Sequence, residues 1–168
     1  MIRTGILTIS DKGYRKERID KTGPAIKEAL DKDIYEVECY KVIPDEMDLI
    51  CQELIRMCDE EKLDLILTNG GTGFAERDVT PEATLKVVHR QAPGIPEAMR
   101  QMSLQITPKA MLSRAVAGIR NRTLIINLPG SPRGAVENLS FVLPALPHGI
   151  EILKGTGGEC ARGDGNND

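Results

Sequence analysis

The chain has no Trp, and aromatic residues fill only 3% of its 168 positions. Any core must therefore be built from Leu, Ile, Val, Met and Ala, which the 40% apolar fraction supplies. Histidine is scarce: His89 and His148 are the two. None of the four cysteines (Cys39, Cys51, Cys58, Cys160) forms a Cys-x-x-Cys pair. That spacing argues against a structural zinc site, and the thiols read as buried or free in a reducing cytosol. Surplus positive charge is also missing, the formal net charge being −3. Affinity for nucleic acid rests on neutralising phosphates with Lys and Arg, so a mildly acidic domain argues against that partner. No apolar run approaches the roughly 18 residues of a membrane span, and residues 1–10 read as a strand rather than a signal peptide. The expectation is a cytoplasmic protein that engages neither membrane nor nucleic acid.

What is present is an alternation of short apolar runs with helical periodicity. Strands are expected at Ile2–Ile9, Tyr35–Val42, Leu63–Thr68, Leu112–Ile119 and Thr123–Leu128. The last two flank Arg120-Asn121-Arg122 and could pair as a hairpin. Helices are expected at 23–32, 46–61, 80–90, 95–105 and 133–153, the last interrupted by Pro144 and Pro147. Across 46–61, Met47, Ile50, Cys51, Leu54 and Cys58 form one apolar stripe. Thr80-Pro81 reads as a helix start with Thr80 as the cap, and Met99 and Met102 are expected to face inward. His89, late in its helix, reads as structural. Strands alternating with helices imply a layered α/β domain with a mostly parallel sheet over 1–154. The tail, 155–168, has too few apolar residues to offset its ordering entropy and is expected to be disordered.

Ligands of open α/β sheets lie outside the carboxyl ends of the strands. Ser10–Asp11, Pro44–Asp45, Asn69 to Asp78 and Pro129 to Pro132 each follow a strand, so parallel strands would bring all four loops to one edge. Asn69-Gly70-Gly71-Thr72-Gly73 can turn sharply and aim backbone N–H groups at an anion, although such clusters also make plain turns. It lacks the Lys-Ser/Thr of a Walker sequence and does not follow the first strand as a dinucleotide fingerprint would. A carboxylate beside a phosphate loop repels its ligand unless a cation lies between. Asp78 thus suits a Mg²⁺–nucleotide site, or else is a helix-start charge; Asp45 has the same two readings. Lys12, Arg15, Lys16, Arg18 and Lys21 form either a solvated face or a lid bringing cations to a polyphosphate.

In this order, several stretches resemble the molybdopterin adenylyltransferase family of molybdenum-cofactor biosynthesis over about residues 2–154. They are Leu7-Thr8-Ile9-Ser10-Asp11, Asp20-Lys21-Thr22-Gly23-Pro24, Ile43-Pro44-Asp45-Glu46, and the runs 68–84, 106–119 and 123–132. The resemblance implies a three-layer α/β/α sandwich, assembled as a homotrimer, that transfers AMP from Mg·ATP to the terminal phosphate of molybdopterin and releases pyrophosphate. It implies Asp78 and Asp45 as the catalytic, metal-holding pair, with Mg²⁺ as cofactor and ATP as substrate. Ser113 would hold the pterin. Gly70, Gly71, Thr72 and Gly73 would cradle phosphate, Pro129, Gly130, Ser131 and Pro132 would line the adenosine side, and Ser10, Asp11 and Asp20 would complete the substrate contacts. A molybdenum-insertion enzyme is the implied further partner. The first loop departs from the family pattern in being basic rather than glycine-rich, Thr22 stands where Ser is common, and Ser131 occupies a variable position. A non-catalytic molybdopterin-binding module of the MoaB type is the alternative. The intact Pro44–Asp45 and Arg77 to Ala83 runs favour the enzyme.

Overall fold

The apolar runs at 2–9, 65–69 and 123–128 have no polar face, so each must be covered on both sides. The computed structural model, which describes residues 1–156, covers them with helices. In chain order the elements are β1 (Ile2–Ile9), α1 (Asp11–Tyr14), α2 (Thr22–Ala29), β2 (Tyr35–Ile43), α3 (Met47–Asp59) and β3 (Leu65–Asn69). There follow α4 (Thr80–Val87), β4 (Arg90–Gln91), α5 (Gly94–Leu104), β5 (Ala117–Arg120), β6 (Thr123–Leu128), α6 (Pro132–Val142) and α7 (Leu146–Lys154). The strands form one six-stranded sheet in the order β2-β1-β3-β6-β5-β4. The first four run parallel, and β5 and β4 close one side antiparallel.

Neighbouring residues on each central strand feed opposite cores. Ile6, Leu65, Leu67, Leu124 and Ile126 pack with Ile26, Met99, Leu139 and Ile150 from α2, α5, α6 and α7. Leu7, Ile66 and Ile125 pack with Ile50, Leu54, Met57, Ala83 and Val87 from α3 and α4. Each fully buried aliphatic side chain contributes about 1.5–3 kcal/mol. The three-layer α/β/α architecture expected from the alternation is therefore present, and the β5–β6 hairpin turns at Arg120–Thr123 as expected.

Several local expectations are corrected. Helix α4 ends at Val87, because the His89 amide turns away to donate to the Ile119 carbonyl and begin β4. His89 is structural, as expected: its Nδ1 accepts from the Asn121 amide. Thr80 does not cap α4; it lies inside the helix and its hydroxyl donates to the Gly70 carbonyl (2.9 Å). Met102 is 42% exposed, since α5 buries Pro96, Met99 and Ser103 instead. The expected strand at 112–119 joins the sheet only from Ala117 onward, and residues 108–112 form a 3₁₀ turn. The expected tail and Cys160 lie outside the described residues, apart from Gly155 and Thr156. No helix among the described residues is long and apolar enough to cross a membrane.

One buried side chain joins three elements. Asn127, fully enclosed on β6, donates to the hydroxyls of Thr68 on β3 and Thr84 on α4 (both 2.9 Å) and accepts from the Val116 amide (3.2 Å). Asn127→Ala deprives all three groups of this partner. It should lower unfolding free energy by about 2–3 kcal/mol in urea titrations, and an unchanged denaturation midpoint would refute this role.

Candidate active site

The parallel register brings Thr8, Asn69 and Leu128 abreast on β1, β3 and β6. The loops that follow consequently leave the sheet together. A cavity of about 740 Å³ opens there, and Ser10, Asp20, Asp45, Gly70, Gly71, Asp78, Gly130, Ser131 and Pro132 all line it. All four strand-end loops picked out in the sequence thus contribute. Asp11, Thr72 and Pro129 lie next to lining residues in the chain without lining the cavity themselves, and Gly73 and Ser113 do not line it either. Thr8 and Thr22 were not anticipated in it. The available signal for Thr8 was a polar side chain near the carboxyl end of a mostly apolar strand.

The glycine loop is a built feature rather than a plain turn. Gly70 and Gly71 have φ of +93° and +66°, which favours glycine. A Cβ on Gly70 would run into the Ile9 carbonyl oxygen, and one on Gly71 would press on the Thr80 hydroxyl and lie 3.1 Å from Asp45 Oδ1. The loop is therefore held tightly against both the end of β1 and Asp45. Arg114 secures its other side: the backbone N–H donates to the Thr72 carbonyl, Nε to Gly73 and Nη2 to Asp78, and the guanidinium also pairs with Glu82. These contacts span 32 to 42 positions, and sequence periodicity carries no signal for them.

Asp11 and Asp45 bind each other's backbone. The Asp11 amide donates to Asp45 Oδ2 (2.9 Å) and the Asp45 amide to Asp11 Oδ1 (3.1 Å). Arg77 then holds Asp11 through Nε (2.6 Å) and Nη2 (3.0 Å). The guanidinium, by hydrogen bond and charge, lowers the Asp11 carboxyl below its usual range against the opposing effect of burial. Asp45 has no such hydrogen bond, and the Arg77 charge relieves it only in part. Burial, together with the negative charges of Asp11 and Asp78, raises its carboxyl despite the Asp11 amide. Asp78 accepts from the Ala75 amide (3.0 Å), an arrangement internal to the loop and not a helix cap.

This pair fits Mg²⁺. Two carboxylates face one cavity, and the field around Asp45 already disfavours further negative charge. Among the described residues no cluster of three or more His, Cys, Asp or Glu forms a complete cage. Mg²⁺ is commonly held by one or two carboxylates while phosphate and water supply the remaining positions.

Asp20 anchors the opposite wall. Its carboxylate accepts from Thr8 Oγ1 and the Tyr40 hydroxyl (both 2.6 Å) and from the amides of Thr22 (2.8 Å) and Gly23 (3.2 Å). The Thr22 hydroxyl continues to the Gly130 carbonyl (2.8 Å). Burial works to raise the Asp20 carboxyl, but these four hydrogen bonds outweigh it and lower it.

Taken together, these features define an α/β domain with a cavity at the carboxyl edge of its sheet, walled by a glycine loop and carboxylates. Comparison with known proteins supplies the family. The model described as a probable molybdopterin binding domain matches residues 5–148, and the chain belongs to that family. The molybdopterin adenylyltransferase of Helicobacter pylori strain J99 is 47% identical, covering 92% of this chain and 89% of its own length. That of Escherichia coli K12 is 42% identical, covering 92% and 86%. Among solved structures, the molybdopterin biosynthesis enzyme MoaB of Thermus thermophilus is 55% identical with a TM-score of 0.88, covering 92% of this chain and 98% of its own. The resemblance read from the motifs is borne out.

Asp20→Asn removes one acceptor oxygen from a four-donor cluster and should cost about 1–2 kcal/mol of stability at neutral pH. The lowered carboxyl sets the sign: the wild-type advantage is full above the ordinary value of 3.8 and fades as pH falls through the lower value of the folded state. Parallel stability–pH curves for the two proteins would contradict this.

Proposed function

We propose that the chain is a molybdopterin adenylyltransferase that transfers AMP from Mg·ATP to the terminal phosphate of molybdopterin and releases pyrophosphate. One observation carries the reading: Asp45 and Asp78 face a single cavity beside the tightly held glycine loop, in a chain 42–47% identical to curated enzymes of that name. Bound by these two carboxylates, Mg²⁺ would offset the charge of the phosphates. The chain itself supplies position. The Gly70–Gly71 turn brings backbone close to the ligand, Arg114 keeps Asp78 in place, and the Thr22–Gly130 hydrogen bond fixes the wall assigned to adenosine. Holding two phosphates in line accounts for much of the rate in such transfers, and no covalent intermediate on the protein is needed. Ser113 is retained as a pterin contact on the strength of the resemblance. The adenylylated product would pass to a molybdenum-insertion enzyme.

The MoaB-type binding module is the second reading, motivated by the 55% identity to the Thermus thermophilus protein, which is nevertheless described as a biosynthesis enzyme. Pyrophosphate release from ATP in the presence of molybdopterin separates the two.

A homotrimer belongs to the same proposal. Met102, Leu104, Ile106, Met111 and Leu112, all exposed, follow one another from α5 into the 3₁₀ turn at 108–112, and apolar surface of this kind marks interfaces. Sedimentation showing only monomer at micromolar concentration would sink it.

Asp78→Asn keeps the side chain's shape and an oxygen to accept from the Ala75 amide, but removes the charge. Turnover should fall about 10²–10³-fold while molybdopterin still binds. Wild-type turnover in a folded variant would remove Asp78 from catalysis and favour the binding module.

A further inference from the structure

The loop between α1 and α2 places four consecutive side chains, Arg18, Ile19, Asp20 and Lys21, on the cavity wall. Its backbone is fixed: the amides of Glu17 and Arg18 both donate to the Lys12 carbonyl (3.0 and 3.3 Å), and Lys16 adopts φ of +60° to make the turn. Its two carboxylates are used elsewhere. Glu17 is paired with Arg15 (2.9 Å), and Asp20 is turned to Thr8, Tyr40 and two amides. Among the described residues neither Arg18 nor Lys21 has a side-chain hydrogen bond or ion pair, and both are exposed. Two unspent cations therefore face a cavity whose other charged lining groups are carboxylates, Asp20, Asp45 and Asp78. An anionic ligand with more negative charge than one divalent ion can offset would find its remaining counter-charge here.

We infer that Arg18 and Lys21 form the subsite for the two terminal phosphates of ATP, the group that departs as pyrophosphate. The inference rests on the adenylyltransferase reading and assigns residues to its leaving group. In the transfer, an oxygen of the molybdopterin phosphate bonds to the α-phosphorus. The bond from that phosphorus to the bridging oxygen breaks, and its electron pair leaves with pyrophosphate. Negative charge grows on that oxygen, and cations brought beside it by the loop stabilise the change more than they stabilise the ground state. Arg18 suits this role because its planar fork matches phosphate oxygens, and Lys21 adds a mobile point charge. The same placement explains why a basic loop is compatible with an acidic domain: its charge is local to the cavity mouth.

The test compares wild type with Arg18→Gln/Lys21→Gln and with Arg122→Gln, an exposed arginine at the β5–β6 turn, away from the cavity. Calorimetry would use inorganic pyrophosphate, ATP, AMP and molybdopterin, alongside KM for ATP in turnover. The double variant should lose roughly tenfold in pyrophosphate and ATP affinity for each cation removed. AMP and molybdopterin affinity should change far less, and Arg122→Gln should match wild type throughout. Unchanged pyrophosphate affinity in a double variant whose parent forms product would overturn the inference and leave the adenylyltransferase reading standing. Loss of molybdopterin binding with pyrophosphate binding kept would reassign the cations to the pterin phosphate and overturn it equally. A wild type that binds neither ATP nor pyrophosphate would bring down both.

Discussion

The site depends first on strand register. Thr8, Asn69 and Leu128 stand side by side across β1, β3 and β6, and Ile9 stands beside Ile43 on β2. Two further backbone bonds carry the alignment past the sheet, from the Ser10 amide to the Ile43 carbonyl (2.9 Å) and from the Gly70 amide to Leu128 (3.2 Å). A shift of one residue in any strand would swap its two core faces, and Leu65, Ile66 and Leu67 show how little room there is for that. The level at which the loops leave the sheet is thus set by packing on both faces, well away from the ligand.

Charge is the second constraint, and the molecule handles its carboxylates individually. Asp11 is neutralised by Arg77, which also reaches Glu46 (2.8 Å). Asp20 is satisfied by hydrogen-bond donors that carry no charge. Among the described residues, Asp45 and Asp78 face the cavity without a paired cation, and burial makes that costly for Asp45. On the proposed reading, a divalent ion and phosphates entering the cavity would offset that cost.

How much of this could be read from the chain depended on distance along it. The strand at 2–9, the hairpin turn between Arg120 and Thr123 and the four loaded loops follow from local pattern, because apolar periodicity and glycine or proline punctuation are local signals. Met102 and Thr80 failed for one shared reason. Each satisfied a helix rule, yet Met99 and Ser103 fill the contact against α6, and the Gly70 carbonyl claimed the Thr80 hydroxyl. The Arg114 clamp and the Asp20 cluster were invisible because their partners come from other elements. Resemblance to a family placed Asp20 among the substrate contacts; the structure sets it on the cavity wall and adds a task the resemblance did not carry, as the tie between β1, β2 and the start of α2.

That difference bears on how the site tolerates change. Loops commonly carry function because they can vary on a rigid frame, and here the rigid part extends into the loops themselves. Asn69 donates to Thr8 (2.9 Å), Thr8 to Asp20, and Thr22 beyond it to Gly130, so three loop roots are joined by side chains that need not touch the ligand. Such supporting contacts hold reacting groups within the small tolerance that transfer between phosphates demands. The basic segment at 12–21 is different in kind: its cations are exposed, and its backbone is fixed mainly by its own turn. It can therefore change composition while the joined roots beneath it stay in place. Variation in this family should accordingly tune how tightly the nucleotide is held before it alters which bond is made.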